Sequence, residues 1–370
     1  MDGGALIVDP TKFARSSHAA LDCIDCHVDA ADIPHRENLA AVGEEVCSGC
    51  HTEAVDAVQS SVHGSDQTPQ DQPTPTCGVC HGPAHEARPA SDPASPVYHL
   101  NLPRTCGNCH SLQAPETGPA ARAPKVFESY VDSIHGHAVA RNGLLVAANC
   151  SSCHGAHGIK STEDATSPVS RGRVTQTCGA CHQGIAAEYD QGRHGILLRQ
   201  GDASVPTCVQ CHSAHDICYV HSEECGLEVV QGCGNCHTES LQTYRDTLHG
   251  QVTALGFSAV ARCSDCHGSH RVLQVSDPQS PVAPDNLVAT CSKCHSGANE
   301  NFVLYDPHAD RHDRARSPLV YYSALMMEVL IIGVFAFFGL HTLLWFIRSV
   351  QERLRSKPSG PSPRHPENRR

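Results

Sequence analysis

Residues Ala147–Lys160 read AANCSSCHGAHGIK. Cys150, Cys153 and His154 form C-x-x-C-H, and a second histidine, His157, follows three positions later. The same unit recurs along the 370-residue chain: C-x-x-C-H motifs begin at Cys23, Cys47, Cys77, Cys106, Cys150, Cys178, Cys208, Cys233, Cys263 and Cys291. These ten motifs absorb twenty of the 22 cysteines and leave Cys218 and Cys225. C-x-x-C pairs also build zinc ribbons and disulfide frameworks, but neither needs a histidine directly after every pair. C-x-x-C-H is the attachment signature of a c-type haem: two thioethers fix the porphyrin and the adjacent histidine takes one axial face of the iron.

Covalent attachment is therefore expected at Cys23, Cys26, Cys47, Cys50, Cys77, Cys80, Cys106, Cys109, Cys150, Cys153, Cys178, Cys181, Cys208, Cys211, Cys233, Cys236, Cys263, Cys266, Cys291 and Cys294. The proximal iron ligands are then His27, His51, His81, His110, His154, His182, His212, His237, His267 and His295. Ten motifs in 370 residues leave 37 residues per haem, and aromatic residues are only 5% of the chain. So little chain cannot wrap each haem in a domain of its own. The haems must take the place of the core and touch one another. The expected fold is a multihaem cytochrome c, with short α-helices and irregular loops packed on a haem array and little or no sheet.

Methionine usage decides the second ligand. Iron in an electron-transfer haem takes His or Met opposite the proximal His. The three methionines are Met1, Met326 and Met327, none of them inside the motif region. The distal ligands should be histidines, which favours lower potentials than His/Met ligation. A formal net charge of −12 argues against nucleic acid, whose phosphates need a basic surface.

Repeats organise the haem region, 17–310, into five two-haem units near 17–62, 63–134, 135–193, 194–248 and 249–310. Each clear unit opens on x-H-G, passes through a C-x-x-C-H followed by a further His, and closes on T-C-x-x-C-H or its like. The first unit is the most degenerate, with His18, CIDCH at Cys23, His35 and VCSGCH at Cys47. Two non-motif histidines per unit give the expected distal ligands His18, His35, His63, His85, His135, His157, His194, His215, His249 and His270. His308, thirteen positions after His295, looks like an eleventh member and is an alternate. His157 is too close to His154 to reach the far face of the same haem, so it should serve a neighbour. His99, His137, His221 and His312 fit no repeat position and read as solvated or hydrogen-bonding. Stretches such as EAVDAVQSSVHG and ESLQTYRDTLHG look helical, and glycine after the histidine suits a C-cap. Each such histidine is therefore expected near the last turn of a short helix. Thr68–Thr76, Ala114–Pro124 and Ser276–Pro284 read as loops. Cys218 and Cys225 flank a short loop and suggest a disulfide, with a thiolate ligand or an atypical haem as alternatives.

After Cys291 the character changes. Leu319–Ile347 is almost wholly apolar, more than the roughly 20 residues needed to cross a bilayer. Residues 318–348 are expected to form a transmembrane helix, with Tyr321, Tyr322 and Trp345 near its ends. Arg348–Arg370 carries seven basic and two acidic residues, while Asp306–Arg316 has three of each. By the positive-inside rule the tail, 349–370, is cytoplasmic and disordered by composition. The haem region then lies on the extracytoplasmic, periplasmic face, where haem c is attached. Glu328 and His341 are ionisable groups in the span, which normally face protein or water. They point to a partner membrane subunit. His341 reads either as a hydrogen-bonding group at that interface or as a contact with a b-type haem or quinone. The lead-in, 1–16, lacks a basic n-region and a long apolar h-region, and a mis-set or processed start is expected.

The alternation of x-H-G, CxxCHGxH and TCxxCH over Ser16–His295 resembles the multihaem c-type cytochromes built of doubled CxxCH modules. The single C-terminal helix ending FFGLHTLLWFIRS looks like the cytochrome c subunits that pair with a diheme b-type membrane cytochrome. That resemblance implies an integral-membrane partner exchanging electrons with a quinone pool, and an extracytoplasmic redox partner. The expected role is electron carriage through about ten bis-His haems rather than catalysis. The alternative is a multihaem reductase of a small nitrogen or sulfur oxyanion, which needs one haem with an open site.

Overall fold

The computed structural model describes residues 8–32, 34, 43–64, 74–111, 126–220, 222–257 and 259–355. His35, His221, residues 68–73 of the first proline-rich loop, the insertion Ala114–Pro124 and the tail beyond 355 lie outside them. The described residues contain short helices, turns and no strand. This is the helical, loop-rich architecture of a multihaem cytochrome c.

The first motif of each unit is one helical turn. In Cys77–His81, Cys150–His154, Cys208–His212 and Cys263–His267 the two cysteines and the histidine stand at i, i+3 and i+4. That spacing puts two sulfurs and one imidazole on the same face. Three of these turns stop at Gly82, Gly155 and Gly268, where φ is 81°, 79° and 83°. The reversal there sends the chain out to the second histidine. In the fourth unit Ser213 takes this place at φ 60° and ψ 177°, a region almost reserved for glycine.

The predicted helices form, with a different relation to the histidine. Gln183–Gln191 ends and a second helix, Arg193–Arg199, begins; Thr238–Asp246 is followed by Leu248–Ala254, and Val126–Asp132 by Ile134–Ala140. His135, His194 and His249 therefore sit in the first turn of a second helix, not the last turn of the first. Ser133 and Thr247 break the run by N-capping, accepting from the amides of Gly136 and Gly250. The glycine is needed for approach rather than for a C-cap. A Cβ on Gly136, Gly195 or Gly250 would collide with the carbonyl oxygen of Tyr130, Tyr189 or Tyr244.

The side-chain core is thin, as 5% aromatic content requires. Val230, Leu241 and Tyr244 form a small cluster with Cys263 packed against it. Most of the interior is instead one continuous cavity of about 5480 Å³. Spread over ten motifs this is about 550 Å³ each, within the roughly 300–1,000 Å³ of cofactor pockets.

Pro318–Arg355 is a single 38-residue helix, about 57 Å long at 1.5 Å per residue. It is long and apolar enough to cross a bilayer, and none of it is buried against the rest of the chain. It runs to Arg355, seven residues past the expected end at 348. No proline or glycine interrupts it there, and Arg348 pairs with Glu352 at 2.9 Å along one face. The segment leading into it is held by ion pairs of Arg316 with Asp306 in the fifth unit and of Arg311 with Asp246 in the fourth.

Candidate metal centres

Every C-x-x-C-H histidine is faced by one other histidine ring. Within units the pairs are His18 with His51, His63 with His110, His135 with His182, His194 with His237 and His249 with His295. Between units they are His27 with His85, His81 with His157, His154 with His215 and His212 with His270, and in the fifth unit His267 is faced by His308. Ring centres are separated by 5.7 Å in the closest pair and 6.3 Å in the widest. Two metal–imidazole bonds of about 2.0 Å, each continued by about 1.1 Å to a ring centre, span about 6.2 Å. The gap therefore fits one metal ion held by both rings. Both members of all ten pairs line the large cavity.

The connectivity follows one rule. The histidine of x-H-G faces the closing motif of its own unit. The histidine after the first motif faces the first motif of the preceding unit. His157 accordingly leaves the motif of His154 and meets His81. A backbone hydrogen bond secures each such crossing: Ser17 N donates to Ala87 O, Val62 N to Ile159 O, Ile134 N to Ile217 O and Arg193 N to Val272 O. Lacing that runs backward leaves the last unit needing a histidine beyond the repeat. His308, the expected alternate, stands there against His267. His35, placed among the ten distal candidates on sequence, lies outside the described residues.

Second partners set the rings. His18 Nδ1 donates to the carbonyl of Ala84 at 3.1 Å, which leaves Nε2 bare toward His51. The Thr243 hydroxyl donates back to its own helix at Glu239 and Ser240, and so accepts from His308 Nδ1 at 3.0 Å. Burial pushes His63, His81, His110, His135, His154, His194, His212, His215, His267 and His308 below the ordinary imidazole value. Neutral imidazole is the form that binds metal.

Motifs follow one another in space as they do in sequence. Cys106 lies beside Cys150, Cys178 beside Cys208 and Cys233 beside Cys263, each pair bridging two units. Within units, Cys80 lies near Cys106 and Cys109, Cys153 near Cys178 and Cys181, Cys211 near Cys233 and Cys236, and Cys266 near Cys291 and Cys294.

The scaffold around the motifs uses residues that the sequence reading passed over. Tyr130, Tyr189 and Tyr244, each five positions before an x-H-G histidine, donate to the carbonyls of Ala148, Pro206 and Ala261. Each acceptor lies two residues before the next C-x-x-C-H. Thr105, Thr177 and Thr290, each just before a closing motif, donate to Pro96, Pro168 and Pro281. Those prolines end a recurring Asp-x-x-Ser-Pro turn, legible as D-x-x-S-P starting fourteen residues before the motif. Ser276–Pro284 contains one of these turns and is not simply surface loop, since Ser280 is fully buried. His99 joins two units, donating from Nε2 to Ala147 O and accepting at Nδ1 from Asn149. His312 accepts from Arg311, and His137 is partly buried in Ile134–Ala140. Cys218 and Cys225 form a disulfide.

No protein-family model matches the chain. It is 25% identical over 183 residues to the multiheme cytochrome MtrA of Shewanella baltica. The chain has the architecture of a multihaem c-type cytochrome. The match covers 47% of this chain and 50% of the relative, so the chain spans about half the length of the curated protein it matches. With the cysteine motifs, this likeness supports several covalently bound haems.

Proposed function

We propose that the chain is the electron-carrying subunit of a quinone-linked membrane complex, holding ten bis-His haems c. The observation that carries this is the facing of all ten motif histidines by a second ring across a metal-sized gap. Haem c, when bound, supplies a one-electron iron couple. The twenty motif cysteines would hold it covalently, and the distal ligands would be His18, His63, His85, His135, His157, His194, His215, His249, His270 and His308. With both axial positions filled by the chain, no haem is left for a substrate to bind. The protein's task is then to fix imidazoles, exclude water and keep neighbouring motifs close.

The closing motif of the fifth unit, at Cys291–His295, lies 23 residues before the apolar helix, and His308 lies ten residues before it. Electrons exchanged with a b-type cytochrome or another quinone-interacting subunit would enter or leave at this end, and those exchanged with an extracytoplasmic partner at the other. The basic residues after the helix support a cytoplasmic C-terminus and a periplasmic haem domain. His341 and Glu328 are exposed on the helix and would face the membrane partner. Purification in mild detergent tests this reading. Co-purification of a b-type cytochrome, with haem c reduced on addition of a quinol, is the expected result. A chain that comes out alone and is not reduced by quinol in native membranes contradicts it.

A further inference from the structure

The fourth unit lacks the Asp-x-x-Ser-Pro turn. In the second and third units that turn closes a loop of fixed size. Ser95 Oγ donates to the carbonyl of Arg88 at 3.2 Å, and Ser167 Oγ donates to that of Lys160 at 3.3 Å. Arg88 and Lys160 each lie three residues after the histidine that crosses to the preceding unit, His85 and His157. In both loops seven positions separate the two clamped residues. Both serines are fully buried.

Cys218 lies three residues after the crossing histidine of the fourth unit, His215. Its disulfide partner Cys225 is seven positions on and 1% exposed. The same two places are thus joined by a disulfide instead of a hydrogen bond. The fourth unit has reason to need the stronger link. The crossing histidine stands 21 residues before the closing motif in the second, third and fifth units, at His85–Cys106, His157–Cys178 and His270–Cys291. From His215 to Cys233 it is 18. The closing motif here is also approached by a twelve-residue helix, Glu223–Gly234, rather than by a six-residue one. A shorter path and a longer helix leave no room for the serine–proline turn.

We propose that Cys218–Cys225 is a positioning pair for His215, a covalent counterpart of the Ser95 and Ser167 clamps that holds His215 against His154. It fixes the crossing segment to the helix of the closing motif, so that the imidazole meets the preceding unit's iron without searching for it. This rests on the bis-His reading given above. The test is electron paramagnetic resonance of the oxidised holoprotein, with a spin count. In C218A/C225A one haem in ten should become high-spin, and one tenth of the haem absorbance should shift in a redox titration. In C218A/C225S the hydroxyl introduced at position 225 can donate to the carbonyl of position 218, as the serine clamps do, and ten low-spin haems should return. Ten low-spin haems and an unchanged titration in C218A/C225A would overturn the proposal. Should that variant not assemble, C218A/C225S decides: ten low-spin haems support the clamp, and failure to assemble overturns it. A high-spin haem already present in the unmodified chain would instead count against the bis-His reading itself.

Discussion

Replacing His308 with alanine tests the backward lacing at the point where it departs from the repeat. The His267 and His308 ring centres are 6.2 Å apart, and His308 Nδ1 donates to the Thr243 hydroxyl at 3.0 Å. Alanine cannot reach across that gap, so water takes the position and the iron at His267 turns high-spin. The expected signal is one tenth of the total iron, with nine haems unchanged. A graded version supports the assignment. Thr243→Val removes a hydrogen bond worth about 1 kcal/mol, which raises the ligand-off fraction about fivefold. His35→Ala should leave all ten haems low-spin. Spin quantification of the oxidised protein by electron paramagnetic resonance, cross-checked by resonance Raman, reads all three variants. Ten low-spin haems in His308→Ala together with one high-spin haem in His35→Ala would refute the argument, because the first unit would then be using its own second histidine.

Other consequences follow from single residues. Ser213→Gly relieves a backbone conformation costing on the order of 1–3 kcal/mol, so it should slow loss of the fourth unit's ligation in denaturant rather than speed it. Tyr189→Phe deletes the 2.7 Å bond to Pro206 and should destabilise that segment by about 1 kcal/mol, seen as faster amide exchange around Cys208. Acid should loosen the buried histidines. Their folded values lie below the ordinary 6.5, so their contribution is present above pH 6.5 and is lost as pH falls through the folded value. Low-spin absorbance should therefore hold between pH 7 and 8 and fall on acidification below pH 6.5.

What could be read from sequence was what covalent chemistry fixes. The spacing Cys150–Cys153–His154 has no other use as regular as haem attachment, and ten copies on a thin core already imply a haem-filled interior. The histidine series was equally open, since each member sits at a repeated offset. The direction of lacing was not, because it depends on which unit packs beside which. A forward or an in-unit rule would count the same histidines and would keep His35 instead of His308. Helix boundaries failed for a related reason. Ser133 and Thr247 are ordinary residues until the second helix turns back on the first, and only the carbonyls of Tyr130 and Tyr244 show why Gly136 and Gly250 must follow. The Cys218–Cys225 link was visible as a pair, but its equivalence to Ser95 and Ser167 needed the hydrogen bonds that those serines make.

The central claim is that ten haems are each held between two histidines of this chain. The direct measurement is the haem count per chain by pyridine haemochrome and intact mass, read with the spin state of the oxidised protein. The account predicts ten covalent haems, all low-spin. Fewer than ten, or a stoichiometric five-coordinate haem in the unmodified protein, would contradict it.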